Sequence, residues 1–421
     1  MPTPSLILVP ARFKTGKLYT PLATTSGGVV LGASGDFNVT RATTATRVNA
    51  NGLIESVASG IPRLDYPIGG GCPALLVEPS GSNLSRQSAG MSVSGTWQRS
   101  NISVTTGITS PEGLTTAFNI VESSDVTAQT HELAQSGLSV VSGTAYTFSL
   151  FIKAGTNNRN IRLAFGSANF VGSPVATFNP VIGSVVASGD CVASVEDYGN
   201  GWFRCRMTAT ADVAGTSFFG VYPTSGTTFS YIGNGSGSVQ VWGAQVEASS
   251  IPTSYIPTTT AAVTRNADAI TLSSAVSGCI GQTQGTLYAE FEIRSDTTTR
   301  RLFALSDGSQ TNRVFLYYTS NALRAQIQAT DISLGNPAAG YHKVAFAYQQ
   351  SGVSGTLFAS LDGGAVVSGT TAGTFPSVLN AVFIGKRESS TDDQQWNARI
   401  RSAAIYTSRL TNAELIALST L

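Results

Sequence analysis

The sequence predicts an all-β protein in which a core-poor opening segment precedes two antiparallel β-sandwiches, and three observations carry that expectation. Charged residues are 12% of the 421, against roughly 25% in an ordinary soluble protein. The chain holds 44 glycines and is rich in Ser, Thr, Val and Ala, a mixture that suits packed sheets joined by tight turns and not helix bundles. After residue 84, apolar and polar residues alternate with the period of two that sets one face of a strand on a core. A chain of this length exceeds one ordinary core, so two or three domains are expected.

Residues 1–83 form the first segment. Turn signals crowd it, at Gly27-Gly28, Gly35-Asp36, Asn51-Gly52 and Gly69-Gly70-Gly71, with only short strands near residues 52–55 and 74–78 between them. So few apolar residues cannot fill a core, and the segment is expected to wrap on the next domain or on another copy of the chain.

Residues 84–265 form the second segment. Tyr146, Phe148, Leu150 and Ile152 share one strand face, as do Ile161, Leu163 and Phe165, while Thr147, Ser149 and Arg162 point the other way. Strands of this kind are half-buried and antiparallel. Gly199-Asn200-Gly201 reads as a turn with positive φ, leading into a strand with Trp202, Arg204 and Arg206 on one side. Residues 239–248 are expected to close the sandwich, and the Pro- and Thr-rich stretch 252–264 to strap one domain to the next.

Residues 266–421 form the third segment. Leu287, Ala289, Phe291 and Ile293 alternate with Tyr288, Glu290, Glu292 and Arg294, and further strands fall near 313–318, 323–328, 342–348, 382–385 and 398–406. Asp362-Gly363-Gly364 is a strong hairpin turn. The chain closes on a short helix whose start is locally specified: Thr411 can cap the Glu414 amide, Glu414 can reach back to the Thr411 amide, and Leu410 can pack on Leu415.

A net charge of +1 offers no field to draw in nucleic acid or an anionic membrane. No apolar run approaches a membrane span, and the opening residues lack a basic region and are broken by Pro2, Pro4 and Pro10. No export signal or membrane insertion is expected, and assembly belongs in a cytoplasm. Cys72, Cys191, Cys205 and Cys279 are scattered, without a C-x-x-C pair, against a zinc site or a disulfide framework. Cys191 and Cys205 flank one hairpin, and buried thiols are the favoured reading of both.

No catalytic constellation emerges. Asp392-Asp393 and Glu290 with Glu292 are the carboxylates a glycosidase would need, yet both sets read as solvated charge. His131 and His342 are the only imidazoles, and His342 falls in register with Val344 and Phe346, as a hydrogen-bonded core or rim residue would. Sugar binding needs an aromatic face with polar groups that fix hydroxyls. Trp202 with Arg204 and Arg206, and Arg313 with Phe315, Tyr317 and Arg324, have that composition. The alternative for both is a sheet face covered by a neighbouring domain or subunit. Trp396 is a third candidate, with core packing as its favoured alternative. Asp392, Asp393 and Asn397 offer oxygens at loop spacing for calcium. No other cofactor is expected.

Three resemblances bear on these segments. Residues 285–421, with their strands closing on the capped helix, resemble a concanavalin A-like, laminin-G-type jelly roll. The stretches 37–55, 62–66 and 75–79 resemble the start of tailed-phage fibre proteins of the head-spike or tail-fibre kind, over most of the first 85 residues. Residues 239–248, 254–258 and 263–265 resemble the carbohydrate-binding-module-like jelly rolls of phage fibres. The resemblances imply two jelly-roll sandwiches behind an N-terminal virion-attachment and oligomerisation segment. They imply a non-enzymatic head fibre or spike on the virion surface, a homotrimer joined to capsid or tail proteins and displaying lectin-like domains to surface glycans. The alternatives are a tail fibre or baseplate receptor-binding protein and, further off, a glycan depolymerase.

Overall fold

The computed structural model describes residues 2–24, 28, 36–273, 277–294, 298–371, 373–388 and 394–421. The described regular structure is almost all antiparallel strand, apart from short 3-10 turns and the helix Asn412–Ser419. That helix starts as its sequence specifies, with the Glu414 amide donating to Thr411 Oγ1 and the Thr411 amide donating to Glu414 Oε2 at 2.8 Å. Leu410 and Leu415 share one buried cluster at its foot. Asp362 and Gly363 both adopt positive φ (51° and 72°), and the Gly364 amide closes the turn on the Leu361 carbonyl.

The middle sandwich faces two six-stranded sheets. One runs Gln98–Ser100, Glu132–Val140, Gly215–Thr224, Asn160–Phe165, Val175–Asn179, Ser184–Gly189, and the other Ile102–Ile108, Ala117–Glu122, Ser238–Glu247, Ala145–Ala154, Phe203–Thr210, Val192–Asp197. Phe148, Leu150, Ile161, Leu163, Phe178 and Phe219 fill the space between them. The strand Ser238–Glu247, expected to close the sandwich, lies inside its sheet, paired on both sides. The strand Ala145–Ala154 is buried on both faces, not half-buried. Its outer face is covered by Trp242, Tyr255 and Ile54, which cluster on Phe151, and by the turn just before the strap, whose Ser249 carbonyl accepts from Thr147 Oγ1 at 2.7 Å.

The C-terminal sandwich is built from both ends of the chain. The first segment does not form a separate body; it adds strands to both large sheets of the third segment. Leu6–Leu8 pairs with Ala398–Tyr406, placing Leu6 opposite Ile405, and Ala74–Val77 pairs with the same strand further along, placing Leu76 opposite Arg399. Phe37–Thr40 pairs with Ala269–Ser273, placing Val39 opposite Ile270. Strands of two to four residues cannot make a stable sheet alone, but as added rungs they send Leu6, Leu8, Leu18, Phe37, Val39 and Leu75 into the core that holds Leu287, Phe291 and Phe346.

Between these ends the middle sandwich is an insertion. The chain leaves along Gly81–Asn83 and returns along Val263–Arg265, and the two stretches pair antiparallel with Ser82 opposite Thr264. Beside this neck lies a buried ion network. Asp268 accepts from Arg63 Nη2, from Arg41 Nη1 at 3.0 Å and from the Glu78 amide at 3.0 Å. Glu78 accepts from Arg63 Nη1 at 2.6 Å and from the Ser254 amide and hydroxyl at 2.8 and 2.7 Å, with Arg265 Nη2 at 3.4 Å. Burial alone would raise the Glu78 carboxyl, but Arg63 and Arg265 outweigh it and hold the group well below the usual carboxylate range. The network ties first segment, strap and third segment together.

The cysteines are all unpaired: Cys205 and Cys279 are buried, Cys191 is half-buried and Cys72 is exposed.

Candidate functional site

One sheet of the C-terminal sandwich ends in the consecutive strands Arg300–Ser306, Arg313–Thr319, Ala322–Ile327 and Thr330–Ser333. Alternation sends Val314, Leu316, Tyr318, Leu323, Ala325 and Ile327 into the core and leaves Arg313, Phe315, Tyr317, Arg324 and Gln326 on the outer face. The register stacks them in rungs, with Phe315 opposite Gln326 and Gln326 opposite Asp331, then Tyr317 opposite Arg324. Three of the residues singled out from sequence, Arg313, Tyr317 and Arg324, therefore do meet on one face.

Phe315 is fully buried beneath that face. The Arg301 guanidinium lies over its ring at 3.9 Å and the Arg313 guanidinium at 4.5 Å, close enough for each cation to be drawn to the π face. Arg313 is also paired to Glu388 through Nη1. Arg301 is only 6% exposed, and its Nε and Nη1 have no hydrogen-bond partner among the described residues. Burial is the main cause that pushes its pKa down to about 10; the nearby Arg313 and Arg387 add to the fall and Glu388 opposes it.

Beside it, Tyr317, Arg324 and Asp331 are half-buried. Tyr317 donates its hydroxyl to Asp331 Oδ2 at 3.2 Å, and Arg324 Nη1 pairs with the same oxygen. The Arg324 and Asp331 side chains keep 33% and 29% of their surface. The Tyr317 hydroxyl is raised by burial and by the Asp331 charge, so it stays protonated as a donor. A ring with a wet edge, a guanidinium, a carboxylate and the Gln326 amide on one flat face can exchange hydrogen bonds with a row of hydroxyls while the ring packs on C–H groups.

Trp202 is a correction. It does share a side with Arg204, but it is 2% exposed and packs with Phe151, Trp242 and Tyr255, so it offers no face to a sugar. Covering by the chain's own strap and first segment is the reason. Arg204 donates to Ser149 Oγ at 3.0 Å and lies over Phe151 at 5.3 Å. Trp396 is likewise a core residue, edge-on to Phe291 at 5.3 Å with Nε1 donating to the Glu292 carbonyl at 2.9 Å; it is not a platform. Asn397 is buried at φ 59°, and its intended calcium partners Asp392 and Asp393 lie outside the described residues.

The imidazoles are tied down. His131 Nε2 meets Asp125 Oδ2 at 2.8 Å; His342 Nδ1 meets Asp362 Oδ2 at 2.6 Å, with Nε2 at 2.8 Å from the Ala338 carbonyl. Glu290 pairs with Arg401 at 3.1 Å and Glu292 with Arg399 at 3.2 Å.

Arg301, Gln326 and Asp331 were not legible as members of the face. A register shift between Arg301 and Phe303 breaks the parity that would otherwise group Arg301 with the core residues Phe303 and Leu305. Asp331 sits in a strand of four residues, too short to show a period.

Residues 264–416, which include every strand of this face, match the family described as the concanavalin A-like lectin/glucanases superfamily. This part of the chain is a concanavalin A-like jelly roll. Among solved structures, the chain is similar to the CBM40 of the Ruminococcus gnavus IT-sialidase bound to α2,3-sialyllactose, at 18% identity over 34% of this chain and 84% of that one, with a TM-score of 0.29. It is also similar to domain 4 of AbnA, a GH43 extracellular arabinanase from Geobacillus stearothermophilus, in complex with arabinotriose, at 15% identity over 37% and 73% with a TM-score of 0.29. The LG1-3 region of the laminin α2 chain is similar at 11% identity over 69% and 67%, with a TM-score of 0.26. No curated protein matches the chain.

Proposed function

We propose that the chain is a non-enzymatic surface protein of a tailed-phage virion, of the head-fibre type, which binds glycans through the outer face of its C-terminal sandwich. The observation that carries the glycan reading is the half-exposed cluster of Tyr317, Arg324 and Asp331, whose ring, donors and acceptor share one sheet face across neighbouring rungs. Similarity of residues 264–416 to concanavalin A-like lectins and glucanases supports it. Support for a non-catalytic role comes from the commitment of both histidines and of Glu290 and Glu292 to fixed partners. The virion reading and the homotrimer rest on the resemblance of the first 85 residues to phage fibres.

Glycan-array and host-cell binding of the full chain, beside Tyr317→Ala and Arg324→Ala, tests the site. Each variant is expected to lower binding about tenfold with an unchanged thermal midpoint. Binding that survives both substitutions would remove the face from consideration, and measurable polysaccharide cleavage would overturn the non-enzymatic reading. Electron microscopy of intact particles tests attachment to the head, and light scattering tests the trimer.

A further inference from the structure

The two sandwiches enclose a second candidate site where they meet. A cleft of about 330 Å³ opens between the middle sandwich, at its edge strand Val192–Asp197 with Glu196 and the adjoining strand Phe203–Thr210 with Arg204 and Arg206, and the end of the strand Gln284–Ile293, with Arg294 just beyond it. Its size falls at the small end of the range for ligand pockets, and domain junctions are a preferred place for them.

The arginines here differ from most others in the chain. Arg41, Arg63, Arg159, Arg265 and Arg399 each have a carboxylate oxygen within 3.4 Å. Arg206 donates Nε to the Ser194 hydroxyl, and no carboxylate pairs with it or with Arg204 among the described residues. Arg294 reaches Glu292 only at 3.9 Å, and Glu292 is already held by Arg399. Arg204 is 5% exposed, and its Nε has no hydrogen-bond partner. Three guanidiniums thus line the cleft without a close carboxylate, and a cation as buried as Arg204 is normally paired. The one carboxylate there with little commitment, Glu196, meets Arg399 Nη2 at 3.9 Å. Its side chain keeps 46% of its surface, and the charges of Arg294, Arg399, Arg204 and Arg206 hold its carboxyl below the usual carboxylate range. Three arginines face two carboxylates, Glu196 and Glu292, in the cleft lining, a formal excess of one positive charge.

The remaining walls are mixed. Val195, Ile293 and Pro252 supply apolar surface, while Ser194 and Glu196 supply a hydroxyl and an acceptor. A simple inorganic anion would use the guanidiniums and waste the rest. We propose that the cleft binds a carboxylated monosaccharide unit, a uronic-acid type of sugar, whose carboxylate meets Arg204, Arg206 and Arg294 and whose hydroxyls meet Glu196 and Ser194. Guanidinium donors match carboxylate geometry. This site shares no residue with the outer face and does not rest on the reading given for it.

Isothermal titration calorimetry of the full chain with D-glucuronate, D-glucose and inorganic phosphate tests the assignment. Glucuronate is expected to bind and to weaken with added salt, with glucose and phosphate at least about tenfold weaker. Arg206→Gln and Arg294→Gln, both at half-exposed positions, are each expected to lower glucuronate affinity about tenfold or more without moving the thermal midpoint. Phosphate binding as tight as glucuronate would overturn the sugar assignment. Equal binding of glucose, or full affinity in both folded variants, would overturn the site. Should either variant lose its fold, Arg206→Lys replaces it, since it keeps the charge but loses the forked donor and is expected to bind more weakly than the parent.

Discussion

Removing the Asp268 carboxylate should be among the most damaging single changes available to this fold. Asp268→Ala takes away the acceptor shared by Arg41, Arg63 and the Glu78 amide, and leaves three buried guanidiniums facing the single carboxylate of Glu78. The Arg41, Arg63 and Arg265 side chains have 0%, 0% and 1% of their surface exposed, so water cannot replace the lost partner. Breaking one side of a buried ion pair costs about 3–5 kcal/mol. For a domain of roughly this size that lowers the melting midpoint on the order of 10 °C. Asp331→Ala is the internal control, because it breaks the same Arg–Asp chemistry at a pair with 33% and 29% exposure, where the cost is about 0–1 kcal/mol. Urea melts followed by tryptophan fluorescence, with Trp396 reporting on this core, compare the two. Equal destabilisation by both substitutions would show that burial of the network does not set its value.

Three further outcomes are expected. Trp396→Ala and Trp202→Ala should each cost about 3–5 kcal/mol in thermal melts, a loss of stability and not of a ligand platform; midpoints close to the parent's would contradict the packing described. Because the Glu78 pKa is lower in the folded chain than in the unfolded one, its contribution is complete above about pH 4.3 and is lost as the pH falls further. Denaturation midpoints should therefore decline on acidification, and Glu78→Gln should flatten that decline. Residues 84–262 expressed alone should fold, since the core members of the middle sandwich from Leu84 to Val246 all lie within them; a flat near-UV circular dichroism spectrum would refute this.

The parts of the fold legible in the sequence are those with local or strongly periodic signatures. Alternation at Leu287, Ala289, Phe291 and Ile293 located a strand whose core face is those residues, and the Thr411–Glu414 box placed a helix within a residue of its start. What covers a face is not local. Thr147 and Ser149 read as solvent-facing, but both are buried, with the Ser249 carbonyl bonded to Thr147 and the Arg204 guanidinium bonded to Ser149. Short strands such as Leu6–Leu8 leave too few alternations to reveal a pairing made at the far end of the chain. The same limit applies to the candidate sites. Composition picked out Tyr317 and Arg324 correctly as neighbours, yet it weighed Trp202 and Trp396 as platforms, since residue type does not tell an exposed ring from a buried one. The cleft residues Arg294 and Arg206 come from different sandwiches, and nothing in either local pattern links them.

The pairing of Leu6–Leu8 with Ala398–Tyr406 also sets an order of events during synthesis. The Ser5 hydroxyl bonds to the Ile405 carbonyl across 400 residues, so an early strand with only the two-residue strand Leu22–Ala23 beside it lacks its long partner until the last strand is made. At about 5–20 residues per second, that wait is roughly 20–80 s. The middle sandwich, whose main core lies within its own stretch, can fold in the interval. Leu6, Leu8, Leu18 and Phe37, destined for the core, remain exposed meanwhile, so the window for aggregation or capture by chaperones opens early in translation and closes only when the final strand arrives.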